Sequence, residues 1–225
     1  MQLDGRTVTV VPAPVANAPV VYVPSVSDNA EALAAACHGL GAPGFSLVCV
    51  SGLDWDAELS PWPAENVFKG QPPFAGRAPE FLGWMEHRLI PTAEEQLPSP
   101  DTSHRIAAGY SLAGLFALWA PYHTDAFCSV VSASGSLWFP GFLAICERLP
   151  FVRKPRRAYL SLGKKESRSR NPLLRETQGA TEALARRLIG EGVDATFVLN
   201  PGGHFDNPTG RLAAGIAWAL ARPTP

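Results

Sequence analysis

The stretch "AAGYSLAGLFALWA" (107–120) places Ser111 where small residues give way to an apolar run. A serine hydroxyl attacks a carbonyl well only when a base takes its proton and a third group holds that base. The strand-like "RIAAG" (105–109) leads into Ser111 and the helical "LAGLFALWAPY" leads out, so the residue falls on a strand-to-helix turn. A turn that raises a nucleophile needs small neighbours two residues either side, so that strand and helix can approach. Gly109 and Ala113 occupy those places, and Gly114 adds room. The same position equally suits a serine that caps a helix. A partner histidine separates the two readings.

Five histidines are present. His38, His87 and His123 fall in helical stretches, and His104 precedes the elbow strand. His204 differs, lying in "VLNPGGHFDNPTG" just past the last strand-like run, on a turn with Gly202 and Gly203 before it. In an open α/β sheet the loops at the carboxyl ends of the strands converge on one crevice. Ser111 and His204 are therefore expected on the same edge. An orienting acid is expected between them in the chain. Glu166, three residues beyond the strand-like "RAYLSLG" (157–163), is the best placed. Glu147 and Glu176 read as helical and Asp194 precedes a strand. Asp206 is the nearest rival, but a spacing of two residues tends to aim its side chain away from His204.

These residues need a scaffold that brings distant turns together. Runs at 7–13, 19–24, 45–52, 105–109, 127–134, 157–163 and 195–200 are nearly continuously apolar, as strands covered on both faces are. Helical stretches at 29–40, 78–96, 112–123, 139–148, 174–190 and 209–221 alternate with them. That alternation predicts a mostly parallel central sheet with helices on both faces, in one α/β domain spanning 1–225. The Pro- and Gly-rich tract 59–79 reads as a long surface loop of the kind that serves function. "GKKESRSR" (163–170), a basic cluster, reads as solvated.

With 46 % hydrophobic and 17 % charged residues and a net charge of −1, the composition is that of an ordinary globular protein. No electrostatic footprint for nucleic acid or an anionic membrane is visible. The amino terminus lacks the apolar run of a signal peptide, and no stretch reaches the roughly 18 apolar residues of a membrane span. The four cysteines lack CxxC spacing; Cys49 and Cys128 sit in apolar runs, as reduced core residues of a cytoplasmic protein do. Neither a metal nor a cofactor is expected.

Together, "GYSLAG" (109–114), "SGSLWFPGF" (134–142), "SLGKKE" (161–166), "NPGGHF" (200–205) and the tract "LDWDAELSPWPAENVF" (53–68) resemble the α/β-hydrolase superfamily. More narrowly, the chain is similar to small serine esterases related to esterase D and the ferric-enterobactin esterases. The resemblance runs in order from about residue 19 to 221. It implies an α/β-hydrolase fold, a small-molecule ester substrate, Ser111 as nucleophile, His204 as base, Glu166 as acid and the amide of Leu112 as an oxyanion donor. Two departures stand out. Ala113 replaces the usual second glycine, and no His-Gly pair follows "VVYVP" (20–24), where "SVSD" (25–28) stands instead. Val26 is the expected second oxyanion amide. Trp55, Trp62, Trp138 and Phe139 lie in loops near the same edge; Trp138 above all is expected to touch substrate. Too few residues separate "VVSAS" from "RAYLSLG" for a large lid domain. The same triad would serve acyl transfer or thioester cleavage, and Ala113 with the "SVSD" loop also permits an inactive hydrolase kept as a binding module.

Overall fold

The computed structural model describes residues 1–221. Eight strands form one sheet: β1 (Gln2–Leu3), β2 (Arg6–Val11), β3 (Val20–Pro24), β4 (Ser46–Ser51), β5 (Arg105–Tyr110), β6 (Ser129–Ala133), β7 (Arg157–Gly163) and β8 (Asp194–Asn200). Their spatial order is β1-β2-β4-β3-β5-β6-β7-β8. β1 and β2 pair antiparallel to their neighbours, and every other pairing is parallel. The seven expected strands all form; within this sheet the two-residue β1 lacked a sequence signal.

The helices divide between the two faces. α1 (Ala30–Gly39) and α6 (Pro208–Leu220) cover one, packing Leu33, Cys37, Leu212 and Ile216 against Val21, Leu47 and Ile106 of the sheet. The helical run α2 (Ala78–Trp84, Met85–Leu89 and Ile90–Glu94), α3 (Leu112–Trp119), α4 (Phe142–Arg148) and α5 (Pro172–Gly190) lie over the other. α2 widens into a π turn at Met85–Leu89, just before Pro91, whose missing N–H breaks the regular ladder. Buried on both sides, the central strands have no polar face to present, which is why they read as unbroken apolar runs. All four cysteines are free and buried. No helix among the described residues is long and apolar enough to cross a membrane.

The topology also locates a crevice. From β3 the chain moves outward to β4, and from β5 it moves outward to β6 on the other side. The switch point therefore lies between β3 and β5, where ligands bind in open α/β sheets. Ser111 follows β5 directly, and "SVSD" follows β3. The tract 59–79 crosses this edge with two short paired strands, Pro63–Ala64 and Phe74–Ala75, after a single helical turn at Trp55–Glu58.

Candidate active site

Ser111 stands at the N-terminus of α3 with φ 59° and ψ −123°, and its side chain makes no capping bond. Positive φ in a residue with a Cβ costs about 1–3 kcal/mol and persists only where the surroundings hold it. Here they do. The Ser111 N–H donates to the Ala133 carbonyl at 3.1 Å, and the Ser111 carbonyl accepts from Leu115 and Ser136, each at 3.1 Å. Gly109 is required by the same turn: a Cβ there would lie 2.2 Å from the carbonyl of Ala113. The extra methyl of Ala113 is therefore housed in space that Gly109 leaves empty. The strain turns the hydroxyl away from its own helix.

That hydroxyl faces His204, with Ser111 Oγ 3.1 Å from His204 Nε2. On the other side of the ring, His204 Nδ1 is 2.8 Å from Glu166 Oε2. An ionised carboxylate can only accept, so Nδ1 carries the proton toward Glu166 and the Nε2 lone pair faces Ser111. Two backbone bonds register the loops that carry these residues: Lys164 N–H to Asn200 O and Lys165 N–H to Gly202 O, both 2.9 Å. Tyr110, the last residue of β5, donates its hydroxyl to the His204 carbonyl at 2.5 Å. The three side chains thus form one hydrogen-bonded row across the ends of β5, β7 and β8.

Glu166 is nearly buried, with 8 % of its side chain exposed. Burial alone would raise its carboxyl. Hydrogen bonds from His204, the Gly163 N–H and Ser134, with the charge of His204, outweigh burial and hold it below the usual carboxylate range. Its Oε1 accepts from Gly163 N at 2.6 Å and from Ser134 Oγ at 2.8 Å. A third partner gave no warning in the sequence. Arg211 of α6, 3 % exposed, places Nη1 3.1 Å from Ser134 Oγ and 3.4 Å from Glu166 Oε1, and donates Nη2 to the Pro201 carbonyl at 2.7 Å. Its one trace is a charged residue at the head of the apolar "LAAGIAWAL". Ser136 is another addition, its hydroxyl 3.4 Å from that of Ser111.

Two cavities meet at Ser111. The first, of about 500 Å³, is walled by Trp55, Phe68, Phe74 and Trp138, with Lys165 and Arg168 along one side. In the loop 163–170 Lys164, Lys165, Arg168 and Arg170 are exposed, as a solvated loop requires, while Glu166 turns inward and Lys165 and Arg168 also border this cavity. The second, of about 450 Å³, lies between the 25–29 loop and the start of α6. Trp55, Ser111, His204 and Phe205 border both. Leu112 lines the first and Val26 the second, so they flank Ser111 from α3 and from the end of β3. As the first residue of α3, Leu112 has an N–H that no helical carbonyl takes up. Trp62 and Phe139 line neither cavity; they pack edge to face against each other, with centroids 5.6 Å apart. His38 and His123 pack on Phe45 and Trp119. Asp206 turns back on its own loop, accepting from Gly203 N at 2.7 Å.

Comparison with known proteins agrees with this architecture. Residues 10–189 match the family model described as "Putative esterase". The uncharacterized protein YbbA of Bacillus subtilis is 24% identical over 180 residues, 77% of this chain and 72% of that protein. An IroE-like serine hydrolase from Shewanella oneidensis superposes with a TM-score of 0.78 at 20% identity, over 96% of this chain and 75% of the other. The enterobactin esterase FES from Shigella flexneri, in the presence of 2,3-dihydroxy-N-benzoyl-glycine, gives 0.70 at 20% identity, over 95% of this chain and 55% of that one. At such identities the likeness speaks for the fold.

Proposed function

The chain belongs to the esterase family and is an ester hydrolase of the α/β-hydrolase fold, and from that premise we propose a serine mechanism run by Ser111, His204 and Glu166. The observation that carries it is the row of 3.1 and 2.8 Å contacts from Ser111 through His204 to Glu166. His204 Nε2 takes the hydroxyl proton as Ser111 Oγ attacks the ester carbonyl. The amides of Leu112 and Val26 hold the oxyanion, with Leu112 at the positive end of α3. Glu166 holds the ring and stabilises the imidazolium. His204 then passes the proton to the leaving alkoxide, the C–O bond breaks, and the alcohol departs. Water activated by His204 releases the acyl group as the acid and restores Ser111.

The first cavity supports an ester with one aromatic, anionic half. Five Phe and Trp side chains border it, and neither Lys165 nor Arg168 joins a salt bridge among the described residues. Asp56 also lines it, with burial raising its carboxyl. The enterobactin esterase among the structural neighbours is in keeping with that choice. Ala113 lends no weight to an inactive hydrolase, since its methyl fits beside Gly109.

A fluorophosphonate probe tests the mechanism. We expect one probe per chain, on the peptide carrying Ser111, and no label on Ser111→Ala, whose kcat falls by roughly 10⁴ or more. Labelling elsewhere, or none on folded protein, refutes the assignment of Ser111.

A further inference from the structure

The two cavities that meet at Ser111 differ in charge. Lys165, Arg168, Asp56 and Glu166 border the first. No Asp, Glu, Lys or Arg borders the second. Its apolar wall comes from Val23, Leu33 and Leu212, and its polar groups are the neutral side chains of Ser25, Ser27, Asn29 and Thr209. The acids nearest in the chain are Asp28, exposed on the 25–29 loop, and Asp206, beside Phe205. Both repel an approaching anion, and no cation of the cavity wall answers them. Two bulky apolar side chains stand bare at the mouth, Val26 with 77% and Phe205 with 89% of their surface exposed.

Since Trp55, Ser111, His204 and Phe205 border both cavities, a substrate whose ester carbonyl reaches Ser111 has one cavity open to each of its halves. We propose that the second cavity binds an uncharged, partly apolar half of the ester, so that preferred substrates carry negative charge on one side of the scissile bond only. This rests on the hydrolase reading above and adds to it a rule about the substrate. An anion placed in the second cavity gives up water and meets no Lys or Arg side chain there, while Asp28 and Asp206 oppose what the first turns of α1 and α6 offer it. A neutral alkyl or hydroxyalkyl group covers Val26 and Phe205 and meets hydroxyl and amide groups of its own kind.

The test uses four esters on one scaffold: butyl benzoate, butyl 4-carboxybenzoate, 4-carboxybutyl benzoate and 4-carboxybutyl 4-carboxybenzoate. Values of kcat/KM are measured with the full chain at neutral pH. One of the two singly charged esters should be the best of the set, with the doubly charged ester at least about tenfold below it. Two variants move the rule. Thr209→Lys and Ser27→Lys each put a cation at the second cavity from a different element, and each should narrow the gap between doubly and singly charged esters severalfold. A doubly charged ester cleaved as well as the better singly charged one overturns the inference, as does a gap unmoved in both variants. Fluorophosphonate labelling of the same preparations separates the two levels. A labelled Ser111 with no charge preference removes the inference alone, whereas no label and no cleavage of any ester removes the hydrolase reading with it.

Discussion

The two banks of the crevice are held very differently. On the β5 side, three backbone hydrogen bonds and a glycine without room for a methyl group fix Ser111 in a strained conformation. Glu166 is held as closely, by Gly163, Ser134, Arg211 and His204. On the β3 side, the 25–29 loop is mostly exposed; it is tied to β4 by Ser25 N–H to the Val50 carbonyl at 2.8 Å, and its other bonds are local, such as Ser25 Oγ to Asn29 Oδ1 at 3.1 Å. One bank presets reactive side chains; the other offers backbone and a neutral hollow. The difference predicts that the cost of a substitution falls steeply from the first bank to the second.

Glu166→Gln probes the tight bank. The carboxylate serves two sets of donors at once, His204 on Oε2 and the Gly163, Ser134 and Arg211 groups on Oε1. A glutamine has one accepting oxygen, so one set must lose its acceptor. We expect kcat to fall by roughly 10² to 10⁴ with KM nearly unchanged. Stability carries a second signature. Because the folded carboxyl lies below its ordinary value of 4.5, its contribution is complete above that pH and is lost as pH falls through the lower, folded value. Glu166→Gln should flatten that acid limb in thermal denaturation. Near-full activity in the variant would leave Ser111 and His204 acting as a dyad.

Val26→Pro probes the loose bank, because proline removes the amide and little else from an exposed position. If that amide holds the oxyanion, kcat falls by roughly 10² to 10³. Val26→Ala, which keeps the N–H, should fall far less. Equal activities in the two variants would place the second donor elsewhere.

The same contrast explains what could be read from the amino acids. The elbow was legible only in company: Gly109, Ser111 and Ala113 satisfy its sterics but suit a capped helix as well, and His204 beyond the last strand-like run separated the two readings. The strands were legible because burial on both faces demands unbroken apolar runs. An oxyanion amide restricts no side chain, and so "SVSD" announces nothing. Arg211 was illegible for another reason. Its partner Glu166 lies 45 residues away in the chain, and only the fold puts the two together. That Lys165 and Arg168 border a cavity was hidden likewise, since a charged loop has the same composition whether it faces bulk water or a cavity.

Asp206 supplies the smallest expected effect and the sharpest control on the acid. It is only two residues from His204, yet its carboxylate accepts from the Gly203 N–H at 2.7 Å and so closes its own turn. A Cβ on Gly202 would strike that carboxylate at 2.4 Å, which shows how closely it folds back. The bond is exposed, so its loss is largely made good by water. Asparagine at this position retains an oxygen that can accept from Gly203. Asp206→Asn should therefore cost less than about tenfold in kcat, through slight loosening of the His204 loop rather than through loss of charge beside the ring. Steady-state kinetics on the same ester, run beside Glu166→Gln, decide the matter. A large fall in Asp206→Asn with a small one in Glu166→Gln would transfer the orienting role to Asp206 and require the His204 loop to rearrange when substrate binds.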